Sequence, residues 1–211
     1  MKKKLPEPSV RRLFYYTRLI MERVEKGEDI ILSEEIGTHF SQDPSQVRKD
    51  LSLIGLFGRR GKGYNLLRLK EGLNKYLMLE TSLDAVLIGC GKLGSAILAY
   101  PILQEFSFNI IRAFDVDPMI VGKSVNNVYV SHIDELCDFL KKNKNVSTAI
   151  LTVPADKAKD IAEKIVECGI KGILNFAPVF LNLQKKAIVR NVDFSVDFNI
   201  LRYEMFKEKK L

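Results

Sequence analysis

Between Ser9 and Lys26 the apolar residues Val10, Leu13, Phe14, Ile20, Met21 and Val24 recur at helical intervals, which predicts an amphipathic helix ended by Gly27. After the short stretch DIIL, Ser33 stands as the expected cap of a second helix, SEEIGTHF. Asp43-Pro44-Ser45-Gln46 then combines an N-cap, a proline in the first helical turn and a glutamine three residues past the cap, so a third helix starts there. Its Val47, Leu51 and Ile54 share one face. Two short helices separated by a few residues predict a helix-turn-helix, and the second offers its N-terminal half, PSQVRKDL, to a major groove. The turn Gly58-Arg59-Arg60-Gly61-Lys62-Gly63-Tyr64 reads as a hairpin tip, and Asn65 caps a last helix, LLRLKEGLNKYL. A helix-turn-helix with a basic wing predicts a winged-helix domain.

Beyond Thr81 the pattern changes to apolar runs alternating with amphipathic ones. Ala85–Ile88 is an apolar strand entering a glycine turn and a helix, and NIIRAFDVD is a second strand ending in acid. Residues 131–140 look helical, 148–153 form a strand, 156–168 a helix and 170–176 a strand. Such alternation predicts a Rossmann-like, doubly wound, mostly parallel sheet with helices on both faces. The expected fold is therefore α/β: a winged-helix domain over 1–80, a Rossmann domain over 81–195 and a terminal segment over 196–211.

Charge sharpens this division. Of 211 residues, 33 are Lys or Arg and 26 Asp or Glu, a net charge of +7. Residues 1–80 carry 16 basic and 11 acidic side chains, against 17 and 15 in the remainder, so the excess lies in the N-terminal third and suits a polyanionic partner. No apolar run reaches the roughly 18 residues of a membrane span, and MKKKLPEPSVRR lacks the apolar stretch of a signal peptide, so a cytoplasmic protein with no membrane partner is expected. Cys90, Cys137 and Cys168 have no metal-binding spacing and are expected to be core thiols.

On the third helix Ser45, Gln46, Arg48 and Lys49 are the expected DNA contacts. Arginine can grip a guanine edge and glutamine an adenine edge, while lysine or serine holds phosphate. The same residues would also suit an ordinary solvated face. The wing adds Arg59, Arg60, Lys62 and Tyr64 at a phosphate backbone or minor groove.

Gly89-Cys90-Gly91-Lys92-Leu93-Gly94 is a GxGxxG turn between a strand and a helix, the context a dinucleotide site requires. Gly89 allows the tight turn, Gly91 lets a pyrophosphate approach and Gly94 lets helix pack on strand, with the helix N-terminus holding the negative charge. Asp115, 21 residues past Gly94, is the first candidate to hold the adenosine ribose and to favour NAD(H) over NADP(H); Asp117 is the second. Thr152-Val153-Pro154 and Asn175-Phe176-Ala177 fall at strand ends that meet the ligand, although Pro154 and Pro178 also read as simple turns. Catalytic equipment is lacking: His39 belongs to the DNA-binding region and His132 to a helix start, so sensing rather than turnover is expected.

The chain resembles the Rex family of redox-sensing transcriptional repressors. The resemblance runs from PEPSVRRLFYYTR through SQVRKDLSLIGLFGRRGKGYN and GCGKLGSAI to FDVDP, LTVP, KGILNFAP and NVDF, nearly the whole chain. The family usually has an aromatic pair where Leu53-Ile54 stands here. The resemblance implies a homodimer that binds palindromic operator DNA, takes NADH or NAD⁺ competitively and leaves DNA when NADH binds. It places the switch on Arg18, Tyr100, Asp193 and Phe194, and implies a terminal helix around Phe198–Lys209 exchanged between subunits. Arg18 on a solvated face and Asp193 in a plain turn is the alternative reading of those residues.

Overall fold

The apolar periodicity of the first third becomes four helices and a two-stranded ribbon in the computed structural model, which describes residues 5–59, 61–100, 107–184 and 186–208. The chain divides into two units between Thr81 and Ser82. In the first, α1 (Glu7–Glu25) is followed by β1 (Ile30–Ile31), α2 (Ser33–Phe40), α3 (Pro44–Leu53), β2 (Tyr64–Asn65) and α4 (Leu66–Leu77). Asp43 caps α3 by accepting from Ser45 N–H at 2.7 Å, and Asn65 caps α4 by accepting from Arg68 N–H at 3.0 Å. Antiparallel pairing of β1 with β2 ties the base of the wing to the segment before α2. Leu13, Tyr16 and Ile20 of α1 pack with Ile36, Val47, Leu51, Leu66, Leu69 and Leu73 into one core.

Two local expectations are corrected here. Ser33 is the first helical residue rather than the cap: Leu32 holds that place, its N–H donating to the Glu35 carboxylate at 2.8 Å, while the Ser33 hydroxyl accepts from Arg48. Gln46 does not reach back over the helix start to accept from the N-cap N–H; its amide instead donates at 3.0 Å to Asp50, a buried carboxylate whose lone pairs need donors.

The second unit is a seven-stranded sheet in the order β5-β6-β4-β3-β7-β8-β9. Its elements are β3 (Leu83–Ile88), α5 (Lys92–Leu98), β4 (Phe108–Asp115), β5 (Ser124–Val125), β6 (Val128–His132), α6 (Leu136–Lys142), β7 (Thr148–Leu151), α7 (Ala155–Glu167), β8 (Gly172–Asn175), β9 (Ile188–Asn191) and α8 (Phe194–Glu208). All pairings are parallel except β5 with β6. Alternate residues of β3 serve opposite faces: Val86 and Ile88 join the core under α6 and α7, and Leu87 joins that of Ile97 and Leu98 from α5.

The helix expected over 131–140 begins late. Ser131 and His132 belong to β6, paired in register with Phe114 and Asp115, because Val-Tyr-Val gives a β-branched strand beside β4; a 3₁₀ turn at Ile133–Glu135 precedes α6. The terminal helix begins at Phe194, before the expected Phe198, since the Asp193 carboxylate accepts from Ser195 N–H at 2.9 Å and starts it. Core thiols are corrected in part. Cys90 is buried and free, whereas Cys137 and Cys168 are joined as a disulfide with Cα atoms 5.1 Å apart. Helices α6 and α7 pack on the same sheet face, which brings together two cysteines 31 residues apart.

Candidate nucleic-acid interface and dinucleotide site

Val47 and Leu51 fasten α3 to the core and turn Ser45, Arg48 and Lys49 outward, all exposed, with Gln46 half-buried beside them. The wing closes through paired bonds between Arg59 and Gly63, at 2.9 and 3.0 Å, which leaves Lys62 exposed at its tip. Arg60 lies outside the described residues. Tyr64 is buried at the wing's base, where a Cβ on Gly58 would stand 3.0 Å from its ring; burial pushes its phenol up. Between α3 and the wing runs a groove of about 940 Å³ walled by Arg48, Lys49, Phe57 and Arg59.

Arg48 does not hang free in this groove. Its guanidinium donates to the Ser33 hydroxyl at 2.9 Å and pairs with Glu34 at 3.4 Å. DNA would have to replace that carboxylate, a competitor the sequence pattern gives no reason to suspect. Also unforeseen is Asp50, fully buried on the inner face of α3. Arg12 from α1 grips both of its oxygens, Nε at 2.6 Å and Nη2 at 2.9 Å, and the Tyr16 hydroxyl donates at 3.3 Å. Burial pushes the Asp50 carboxyl up, but hydrogen bonds from Arg12, Ser9 and Gln46 and the Arg12 charge outweigh it and hold the group below the usual carboxylate range. Burial, followed by the Asp50 charge, pushes Tyr16 up to about 12. The signal available in sequence was an acid three residues after Val47, inside the apolar stripe.

In the second unit the glycine turn leaves β3 where the sheet order reverses, with β4 on one side and β7 on the other. Gly89 has φ +90°, and a Cβ there would meet the Thr152 carbonyl at 2.8 Å. A Cβ on Gly94 would meet the Gly89 carbonyl at 2.1 Å, so helix and turn touch backbone to backbone. Gly91 differs: among the described residues, its chain neighbours aside, no heavy atom lies within 4 Å of where its Cβ would be, and its φ of −68° suits any residue. The fold itself makes no demand for glycine at 91.

Asp115 ends β4 beside this turn. One carboxylate oxygen accepts from Cys90 N–H at 2.5 Å, the other from Val116 N–H at 2.7 Å and Asp117 N–H at 2.9 Å. Asp117 is exposed and accepts from Met119 N–H at 2.8 Å. Lys92 and Leu93 are exposed on the first turn of α5. Burial pushes the Cys90 thiol up, which suits packing rather than nucleophilic chemistry.

Thr152 braces the turn, its hydroxyl 2.6 Å from the Gly89 carbonyl and 3.1 Å from that of Ile88; Val153 is half-buried and Pro154 exposed. Asn175 is buried and shapes the loop after β8, donating to Val179 O at 2.8 Å and to the Asn191 side chain at 2.9 Å while accepting from Ala177 N–H at 3.0 Å. Asn191, which also bonds both backbone groups of Leu181, is a partner the sequence did not disclose. Phe176 and Phe194 lie with ring centroids 6.1 Å apart, and Ala177, next to Phe176 in sequence, is buried. Of the expected switch residues, Arg18 is exposed on α1 in the first unit; Tyr100 is exposed, and Asp193 caps α8, in the second. Hydrogen bonds from Ser195 hold the Asp193 carboxyl below the usual range.

Comparison with known proteins agrees with this division. Residues 4–52 match the family model "Putative DNA-binding protein N-terminus", and residues 81–179 match "CoA binding domain". A redox-sensing transcriptional repressor Rex from Carboxydothermus hydrogenoformans is 40% identical over 205 residues, 97% of this chain and 98% of that protein. Among solved structures, the Rex-family repressor RSP in complex with NAD⁺ and operator DNA matches with a TM-score of 0.86 at 33% identity, covering 99% of this chain and 98% of that one. RSP in complex with NADH matches with a TM-score of 0.86 at 31% identity, covering 99% and 97%. The full-length identity, the winged-helix unit and the Rossmann-like unit together establish that the chain belongs to the Rex family of redox-sensing transcriptional repressors.

Proposed function

We propose that this chain represses transcription in response to the NADH/NAD⁺ ratio, its first unit holding duplex operator DNA and its second holding NAD(H), with NADH weakening the grip on DNA. The observation that carries the reading is the glycine turn. Gly89 and Gly94 answer to internal packing, whereas Gly91 leaves open the backbone approach a pyrophosphate needs. In the same chain the groove between α3 and the wing carries Arg48, Lys49 and Arg59 against the single acid Glu34 among its described lining residues.

Ser45, Gln46, Arg48 and Lys49 face the major groove, and Arg59, Arg60 and Lys62 serve the wing contact, whereas Tyr64, expected there too, is buried and supports the wing's base instead. The turn from Gly89 to Gly94 receives the phosphates, and Asp115 takes the ribose ahead of Asp117, being rigidly held by three backbone donors at the mouth of the turn. The strand-end residues 152–154 and 175–177, with Phe194, border the nicotinamide side. Asp193 attracts a cationic oxidised ring and gains nothing from the neutral reduced one; Arg18 is its alternative partner, which ties the cofactor state to the DNA-binding unit.

The protein is a cytoplasmic homodimer and not an enzyme. Residues 1–80 read DNA, 81–195 read the dinucleotide, and 196–211 complete the dimer by exchange of α8. That helix supports the assignment with exposed Val196, Phe198, Leu201, Tyr203 and Met205, an apolar surface that a second copy would cover. The deciding experiment titrates NADH into preformed protein–operator complex at fixed salt, with NAD⁺ as control. NADH is expected to lower DNA affinity by about 5- to 150-fold, and DNA to lower NADH affinity by the same factor. Unchanged DNA affinity at saturating NADH would refute the reading.

A further inference from the structure

We infer that the buried pair of Arg12 and Asp50 is a positioning device that gives α3 its sequence discrimination, by fixing the rotation of the helix and the orientation of Gln46. The inference rests on α3 being the DNA-reading helix and names what sets its specificity. Adhesion alone does not call for the pair, because Val47 and Leu51 already bury α3 and a buried ion pair seldom stabilises more than apolar residues of the same volume. The pair adds direction. The guanidinium fork spans both carboxylate oxygens and the Tyr16 hydroxyl supplies a third donor, so three bonds join α1 to the inner face of α3, while Gln46 adds a bond to the same carboxylate from within α3.

Apolar contacts resist sliding and rotation weakly compared with three directional bonds from α1. Side-chain tips stand about 5 to 6 Å from a helix axis, so a turn of about 10° carries a tip about 1 Å sideways. That displacement exceeds the tolerance of a hydrogen bond to a base edge. Gln46 is bound into the same device. With one amide N–H committed to Asp50, it retains one N–H and its carbonyl oxygen, the pair that matches N7 and N6 of adenine. Asp50 therefore presents Gln46 as an adenine reader without touching DNA itself.

The test uses the full-length protein and a randomised duplex library. The most enriched duplex obtained with wild type is compared with a scrambled duplex of the same composition. The double substitution Arg12→Met with Asp50→Leu removes one charge of each sign, so non-specific attraction to DNA is preserved. It should melt at or above the wild-type temperature and bind the scrambled duplex within twofold, yet lose at least tenfold in preference for the selected one. An unchanged preference ratio overturns the inference. Should the apolar pair fail to fold, Arg12→Lys decides, since it keeps the charge and loses the fork. It too must lower the ratio without weakening scrambled-duplex binding, and an unaltered ratio overturns the inference. If wild type enriches no sequence, the reading of α3 falls first and the inference with it.

Discussion

Replacing Gly91 and Gly94 separates the needs of the fold from those of the ligand. At Gly94 the added carbon would lie 2.1 Å from the Gly89 carbonyl, which neither backbone can yield without parting α5 from β3. Gly94→Ala should cost about 1 to 3 kcal/mol, as overpacking of a close contact does. For a chain of this size that lowers the melting temperature by roughly 2 to 12 °C. In Gly91→Val the added Cβ meets no described residue beyond its chain neighbours, so the cost should fall mainly on a poorer helix cap, under about 1 kcal/mol. Its effect should fall on the dinucleotide. Phosphate held off by one branched side chain forfeits at least one charge-assisted bond to the turn, about 1.5 to 3 kcal/mol, or roughly 13- to 160-fold in affinity. Titration of NADH by fluorescence, with a thermal melt of each variant, reads both quantities. Wild-type NADH affinity in Gly91→Val would show that nothing approaches the turn closely, and the dinucleotide site would have to lie elsewhere.

Three further outcomes are expected. Glu34→Gln frees Arg48 from an exposed ion pair worth about 0.2 to 1 kcal/mol, so DNA affinity should rise about 1.4- to 5-fold by anisotropy at low salt, and the gain should shrink as salt is added. Asp50 is held below its ordinary carboxylate value, so its contribution to stability is complete above about pH 4 and is lost as pH falls through the native value; Asp50→Asn should be less stable at neutral pH, with a flatter acid limb in denaturant melts. Asp115→Asn should narrow the preference for NADH over NADPH at least tenfold by calorimetry, and an unchanged ratio would transfer the ribose to Asp117.

Where function depends on a local backbone event, the chain announces it. Asp43-Pro44 and Asn65 cap the helices they were expected to cap, and the strand, glycine turn and helix around Gly89 follow from spacing alone. What stayed hidden depends on partners distant in sequence. Asp50 looks like one more polar residue until Arg12, 38 positions earlier, closes on it. Thr152 and Asn175 stand near the expected site, but their side chains brace the turn and the following loop, a role set by Gly89 and Asn191. Residues 131 and 132 defeated periodicity because a five-residue strand flowing into a 3₁₀ turn offers too little repeat to tell from a helix. The disulfide needed the βαβ crossover to bring its halves together.

The last helix has a consequence for how the protein comes to exist in a cell. Its exposed side chains include Val196, Phe198, Ile200, Leu201, Tyr203 and Met205, and they occur on every side of the helix, so no rotation of α8 hides them from water. Synthesis runs from the N-terminus, and α8 therefore emerges after the first unit and the sheet of the second have left the ribosome. Each newborn subunit passes through an interval in which this apolar segment is uncovered. Under the proposed exchange of α8 between subunits, the length of that interval varies inversely with the number of free subunits nearby, because meeting a second copy is bimolecular. Scarce subunits would remain targets of chaperones and proteases for longest, and abundance would then reinforce survival. A bulky tag fused behind α8 would prolong the same interval, so its cost would appear as lost yield rather than as a weaker folded protein.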